Sequence, residues 1–236
     1  MHKISTAHLY LIPTPLHEGA ISTLPTYVIN SIKQCEVWFV ENERSARRFL
    51  KQVWKEIIID HYKWHVIHKA EAEIAQHFKQ YIKEGKTIGL LSEAGCPGIA
   101  DPGQHLVSIA QEMNAIIHPL VGPSSILLAL MASGMNGQQF QFHGYLPIDA
   151  VERKKKLNEL EQDSIKRHCT QIFIETPYRN NALLKDIVST CHSNTKLCIA
   201  VALTSPTERV ITKTIAQWED GLPDLHKVPS IFLISS

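Results

Sequence analysis

Three short segments combine glycine, proline and small hydroxyl side chains in a way that suits ligand binding. They are Pro13-Thr14-Pro15, Ser92-Glu93-Ala94-Gly95-Cys96-Pro97-Gly98 and Gly122-Pro123-Ser124-Ser125. Glycine lets a ligand approach the backbone, and proline sets a loop's shape before anything binds. Each segment lies just beyond an apolar run, and open α/β sheets bind ligands outside the carboxyl ends of their strands. One such loop is an ordinary strand-to-helix connection as often as not. Three together weaken that plain reading.

Other common chemistries fail on spacing. Gly85-Lys86-Thr87 resembles the end of a phosphate-binding P-loop, but Gln80 stands where its first glycine is needed. No G-x-G-x-x-G follows the first apolar run, which disfavours a dinucleotide fold. The 13 histidines contain no H-E-x-x-H. His61, His65 and His68 are close in sequence, yet packing or solvated histidines are the plainer reading, and no metal is expected. Cys96 has no histidine partner nameable from sequence, so packing or ligand contact is preferred to nucleophilic attack.

Short apolar runs alternating with helical patterns position these loops and indicate an α/β protein. Strands are expected at Leu9–Ile12, Val37–Val40, Ile57–Ile59, Thr87–Leu91 and Ala115–Ile117. Helices are expected from Pro25, over Glu43–Val53, over Glu71–Lys83 with Ile74, Phe78 and Ile82 on one face, and over Gln104–Met113. The repeated β-α units predict a first domain, residues 1–118, with a mostly parallel sheet flanked by helices. Residues 119–236 read differently. A short apolar helix, Ile126–Ala132, precedes strands at Phe140–Tyr145, Gln171–Ile174, Leu197–Leu203, Arg209–Thr212 and Ile231–Ile234, with a polar helix from Val151 to about Arg167. More strands and fewer crossovers predict a second α/β domain with a mixed sheet.

Composition limits the partners. Against 24 basic residues stand 23 acidic ones, so no global field draws in nucleic acid and any RNA contact needs a local patch. The five cysteines are scattered without a C-x-x-C pair, which suits a reducing, cytoplasmic compartment. Met1 to Leu11 lacks the charge and apolar run of a signal peptide, and no apolar stretch approaches the ~20 residues that span a bilayer.

The series Leu9-Tyr10-Leu11-Ile12-Pro13-Thr14-Pro15, Leu91-Ser92-Glu93-Ala94-Gly95-Cys96-Pro97-Gly98-Ile99-Ala100-Asp101-Pro102-Gly103 and Pro119-Leu120-Val121-Gly122-Pro123-Ser124-Ser125 resembles the tetrapyrrole methylase family. Phe142-His143-Gly144-Tyr145-Leu146-Pro147 and Phe173-Ile174-Glu175-Thr176-Pro177-Tyr178-Arg179 extend the likeness over nearly the whole chain. Within the family it is most similar to the branch that methylates a cytidine ribose 2′-hydroxyl in small-subunit ribosomal RNA.

The resemblance implies a two-domain homodimeric methyltransferase with S-adenosyl-L-methionine in a cleft between the domains. By motif position, Leu16, Cys96, Ile99, Ser125, Ile126, Ile174, Leu203 and Pro229 would contact that cofactor. Apolar slots and main-chain groups suit adenine, and the sulfonium donor needs no metal. Several charged motif positions depart from the branch. Its Glu-Asp-Thr-Arg is Glu41-Asn42-Glu43-Arg44 here, and its Ser-Asp-Ala-Gly-Thr-Pro is Ser92-Glu93-Ala94-Gly95-Cys96-Pro97. Its Glu-Leu-Thr-Lys is Ala202-Leu203-Thr204-Ser205, and its Gly-Glu before the last strand is Pro229-Ser230.

A ribose hydroxyl is a poor nucleophile at neutral pH and needs a proton acceptor. Glu41, Glu43, Glu93 and Glu175 are the acidic candidates at strand mouths, although caps or salt bridges with Arg44 or Arg179 are the plainer role for each. Glu41 with Arg44 is the preferred catalytic pair. Arg44, Arg47, Arg48 and Lys51, or Arg153-Lys154-Lys155-Lys156, offer helix faces for RNA phosphates, against the commoner reading of solvated faces. Two alternatives keep the cofactor. One is methylation of a small molecule such as a tetrapyrrole precursor, and the other a donor-binding protein that has lost catalysis.

Overall fold

The structure, a computed structural model, describes residues 6–68 and 71–236, so the start of the stretch read as lacking a signal peptide lies outside the described residues. The chain divides into two compact units, Met1–Ser124 and Ser125–Ser236. The sequence expectation placed the division at 118/119, and the structure keeps the six residues after His118 with the first unit.

The first unit is a five-stranded parallel sheet. In chain order it runs β1 (His8–Ile12), α1 (Thr26–Ile32), β2 (Val37–Val40), α2 (Glu43–Val53), β3 (Lys63–Val66), α3 (Glu71–Lys83), β4 (Thr87–Leu91), α4 (Gln104–Glu112) and β5 (Ile116–Pro119). The strands lie in the order β3-β2-β4-β1-β5, every neighbour parallel. Parallel neighbours need crossover connections, and a sheet covered on both faces needs apolar side chains on both. The alternation in β2 meets that need: Val37 and Phe39 pack with Phe78, Leu106 and Ile109, whereas Trp38 and Val40 pack with Val28, Ile32, Phe49 and Leu50. Gly89 is opposite Trp38 in the ladder, and a Cβ there would lie 2.3 Å from the Trp38 ring. Only glycine leaves room for that indole to lie across the central strand.

The expected third strand is corrected. Ile57 is buried, but Ile58 is 56% exposed and Ile59–His61 form a 3-10 turn. The strand comes later, as β3, with Lys63 opposite Val37. Its sequence, Lys-Trp-His-Val, has little apolar character because this edge strand is covered only in part. His65 therefore stands in a strand, its ring 4.7 Å from that of Phe39 and its Nε2 3.3 Å from the Tyr81 hydroxyl. Among the described residues, no group of three or more His, Cys, Asp or Glu is placed to hold a metal. No helix among them is long and apolar enough to cross a membrane.

The second unit comprises α5 (Ser125–Ser133), β6 (Phe140–Tyr145), α6 (Ala150–Arg167), β7 (Thr170–Ile174), α7 (Asn180–Thr190), β8 (Lys196–Val201), β9 (Arg209–Thr214), α8 (Ile215–Glu219) and β10 (Ser230–Ser235). Its strand order is β6-β7-β10-β8-β9, with β6–β7 parallel and the other pairs antiparallel. This is the expected mixed sheet. The helix α7 had no expectation. Its first turn has no side-chain cap, and it forms by burying Leu183, Leu184 and Ile187 in the unit's core. The helix α8 was also unforeseen, and it starts at a capping box between Thr214 and Gln217.

Three histidines are held below their ordinary pKa. Burial is the main cause at His65, aided by His77 and Lys63 and opposed by Glu73. Burial also lowers His118, with His8 second, and lowers His143 against a raising hydrogen bond from Gln171. The unfolded chain then binds more protons, so these groups contribute stability above the ordinary histidine value, about 6.5, and lose it as pH falls below. The His8 Nδ1 to His118 Nε2 hydrogen bond, 2.8 Å, also requires one ring to keep a lone pair. Urea midpoints should fall steadily from pH 7 to pH 5, and a His65→Gln/His118→Gln/His143→Gln variant should flatten that dependence.

Candidate functional site

The order β4-β1-β5 puts the three glycine- and proline-containing loops side by side at the carboxyl edge of the first sheet. They are laced together. Thr14 N–H donates to the Gly95 carbonyl (2.9 Å), and Gly95 N–H donates back to Thr14 (3.0 Å), joining the loops after β1 and β4. The Thr14 hydroxyl reaches the Ser92 carbonyl at 3.4 Å, and the Ser92 hydroxyl donates to the Gly95 carbonyl at 3.3 Å. Cys96 Sγ lies 3.5 Å from the Pro123 carbonyl oxygen and 3.8 Å from that of Gly122, which brings in the third loop.

Two glycines make this close approach possible. Gly95 adopts φ +78°, and a Cβ there would stand 3.3 Å from Leu16 and 3.4 Å from the Pro123 oxygen. At Gly122 a Cβ would fall 2.1 Å from that of Pro13. The long loop is closed on itself by Asp101, whose Oδ1 accepts from Gly98 N (2.8 Å) and Gly103 N (2.7 Å). Burial pushes the Asp101 carboxyl upward against those two bonds, and the Glu41 charge adds to it. Asp101 was not singled out in the sequence, although Asp-Pro-Gly is a turn signal.

Of the expected cofactor contacts, Leu16, Cys96 and Ile99 sit on this edge. Leu16 and Cys96 are half-buried, whereas Ile99 is 56% exposed on a loop that Asp101 ties down. Burial pushes the Cys96 thiol up, away from the reactive thiolate. In the second unit, β10 runs against β7 and β8, so its start meets their ends. Ile231 is opposite Ile174, and Ser230 is opposite Val201. Pro229 accepts from Ala202 N at 2.9 Å. Ile174, Leu203 and Pro229 thus share one sheet edge. Ala202 and Thr204 have φ of +47° and +68°, uncommon for residues with a Cβ, and between them they hold Leu203 buried. Ser125 and Ile126 open α5.

Two buried oxygens next to these residues have no hydrogen-bond partner among the described residues: Glu175 Oε2, beside Ile174, and Thr204 Oγ1, beside Leu203. The other Glu175 oxygen accepts from Thr176 N (2.6 Å) and from Arg179 Nε and Nη2 (3.0 and 2.6 Å). A buried acceptor left open costs about 1–3 kcal/mol, which a ligand donor would recover.

The remaining acids separate clearly. Glu43 pairs with Arg47 at 2.5 Å, an i,i+4 surface bridge. Glu93 accepts from the Ser45 hydroxyl at 3.4 Å. Glu41 accepts from Glu93 N at 2.8 Å and stands 3.7 Å from His68 Nε2. Arg44 does not pair with Glu41: the Asn42 side chain caps α2 at Arg44 N and Ser45 N, and the Arg44 side chain is exposed with no ion pair among the described residues.

Most of the basic runs serve the fold. Arg47 lies over the Trp64 ring at 5.2 Å, Arg48 pairs with Glu18 at 2.9 Å, and Lys51 donates to the Ile57 carbonyl. On α6, Arg153 is buried. Its Nε donates to Asp186 at 2.8 Å and its Nη1 to the Ile148 carbonyl at 2.6 Å. Lys154 also approaches Asp186, and Lys156 pairs with Glu159. Arg44 and Lys155 are left as exposed cations of these runs.

Two substitutions, with Gly137→Ala as a control, test these roles. Gly122→Ala should lose about 1–3 kcal/mol in urea unfolding through overpacking on Pro13, whereas Gly137→Ala, which meets nothing within 4 Å, should be near neutral. Arg153→Ala should cost about 1–3 kcal/mol in the same assay by removing the charged hydrogen bonds to Asp186, which keeps only Lys154 at 3.6 Å.

Comparison with known proteins agrees with this geometry. Residues 8–219 match the family of Tetrapyrrole (Corrin/Porphyrin) Methylases. The chain is 30% identical to a Vibrio cholerae protein named ribosomal RNA small subunit methyltransferase I, covering 89% of this chain and 69% of that one. It is likewise 30% identical to the Bacillus subtilis protein of the same name, over 89% of this chain and 68% of that one. The crystal structure of the methyltransferase CobJ superposes with a TM-score of 0.62 at 16% identity, covering 98% of this chain and 94% of that one. The chain belongs to the tetrapyrrole (corrin/porphyrin) methylase family.

Proposed function

We propose that the protein is a cytosolic S-adenosylmethionine-dependent methyltransferase that modifies a ribose 2′-hydroxyl of small-subunit ribosomal RNA, working as a homodimer. The observation that carries the reading is the laced edge formed by Thr14, Gly95, Cys96 and Gly122, in a chain 30% identical to proteins named for ribosomal RNA methylation.

The residues present fit S-adenosylmethionine. Its adenine needs apolar walls, and Leu16, Ile99, Ile126, Ile174, Leu203 and Pro229 supply apolar side chains. Its amino and hydroxyl groups are donors, and Glu175 Oε2 and Thr204 Oγ1 are buried acceptors without partners among the described residues. Cys96 and Ser125 complete the proposed set. When bound, the cofactor supplies a methyl group already activated by the sulfonium, so the chain needs no metal. The chain's task is alignment: a rigid donor edge holds the reacting atoms in line, an advantage that reaches several kcal/mol in well-oriented systems. On the acceptor side, Glu41 faces the same edge, and the free Arg44 guanidinium offers a phosphate contact.

Purified protein incubated with methyl-labelled S-adenosylmethionine and small ribosomal subunits lacking the modification should place label in the RNA. The ribose position is checked by resistance of the adjacent phosphodiester to alkaline cleavage. Calorimetric binding of the donor without any transfer would leave only a donor-binding protein, and absence of binding would overturn the reading.

A further inference from the structure

The strands β3, β2 and β4 carry a second group of polar side chains beyond their carboxyl ends, beside the laced loops. Glu41 follows β2, His68 follows β3, and Glu93 and Asp101 follow β4. Ile67 N donates to the Val40 carbonyl at 3.0 Å, which carries the β2–β3 pairing one residue past the strands. Glu41 and His68 therefore leave the sheet side by side. One Glu41 oxygen is taken by Glu93 N at 2.8 Å, and the other stands 3.7 Å from His68 Nε2. The imidazole is 54% exposed at the side chain, open to a bulky acceptor.

The same loop serves both halves. Glu93 N is bonded to Glu41, and Gly95, two residues on, is bonded in both directions to Thr14. Three residues of chain, from Glu93 to Cys96, span at most about 11 Å. The Glu41–His68 pair is thereby anchored within a few residues of the donor edge. Near it, Asp101 is committed through Oδ1 to two N–H groups of its own loop, Glu43 is bound to Arg47, and burial pushes the Cys96 thiol up.

We propose that His68 is the proton acceptor for the methylated hydroxyl and that Glu41 is its positioning residue. The inference rests on the methyltransferase reading above. Glu41 faces Nε2 at 3.7 Å, so its charge favours the tautomer with hydrogen there and leaves the Nδ1 lone pair free. The hydroxyl oxygen forms a bond to the methyl carbon as the carbon–sulfur bond breaks. That electron pair returns to sulfur, and the hydroxyl proton passes to Nδ1. The resulting imidazolium is compensated by Glu41 and by Asp101, the charged groups that face it from β2 and from the loop after β4. The methyl ether keeps the oxygen, and the proton leaves to solvent from the exposed ring.

The test uses the full chain with His68→Gln, Glu41→Gln and, as a control in the 3-10 turn at the other end of β3, His61→Gln. His68→Gln should lower kcat about 10²–10⁴-fold, the usual worth of a general base. Glu41→Gln should lower it less, and His61→Gln should leave it unchanged. Calorimetric affinity for S-adenosylhomocysteine should stay within about twofold in His68→Gln, and its pH–rate profile should lose the acid limb seen in the wild type. Independently of turnover, the His68 ring resonances, assigned by their absence in His68→Gln, should move when an RNA fragment carrying the target is added with S-adenosylhomocysteine. Wild-type transfer with His68→Gln unaffected, or His68 resonances that stay in place, overturns the assignment alone. A wild type that transfers no methyl group to RNA overturns it together with the proposed function.

Discussion

The paired hydrogen bonds between Thr14 and Gly95 join two loops that are 81 residues apart in the chain, and the rest of the candidate site is arranged around that junction. An all-parallel sheet sends every strand's carboxyl end to one edge, so its loops converge there whatever their sequence. Convergence alone leaves mobile loops. The Thr14–Gly95 bridge, with Pro13 seated on Gly122 and Cys96 reaching Pro123, makes three of them a single surface. Each hydrogen bond contributes only about 1 kcal/mol net, yet the bonds act on chain already stiffened by Pro13, Pro15, Pro97 and Pro123.

Burial decides which polar residues remain available for chemistry. Arg153 on α6 and Arg47 on α2 belong to runs of positive charge that suit phosphates equally well in sequence. In the structure one pairs with a partly buried aspartate and the other lies on an indole, so both are already engaged within the fold. By contrast Glu175 is buried and only half satisfied, and Glu41 is held by one backbone N–H with its second oxygen turned to a histidine. Charge that is expensive to desolvate is retained where one side of it stays open.

Much of the fold was legible because its strongest signals are local. The apolar runs at Leu9–Ile12, Val37–Val40 and Thr87–Leu91 are strands buried on both faces, and the spacing of Ile74, Phe78 and Ile82 marks one face of α3. The reading failed where tertiary context overrode local character. Three consecutive isoleucines, Ile57-Ile58-Ile59, resemble a strand, but Ile57 and Ile59 pack on one core while Ile58 is exposed, and Ile59 opens a 3-10 turn. Lys63–Val66 is a strand despite its polarity because it caps the edge of the sheet beside β2. The helix α7 lacks a capping residue and depends on Leu183, Leu184 and Ile187 finding the core of the second unit.

The sequence by itself determined the class of protein, the two-part α/β organisation and the three loops that carry the family likeness. Glycine, proline and apolar periodicity express backbone geometry directly, and that geometry is largely local. Only the tertiary structure decided which side chains meet. Glu41 reads in sequence as a partner for Arg44, three residues away, but the Asn42 cap starts α2 between them and the adjacent strand brings His68 to Glu41 instead. Asp101 emerges as the tie that holds Gly98 and Gly103. Such pairings depend on strand order, which brings together residues far apart in the chain and leaves no mark on their local spacing.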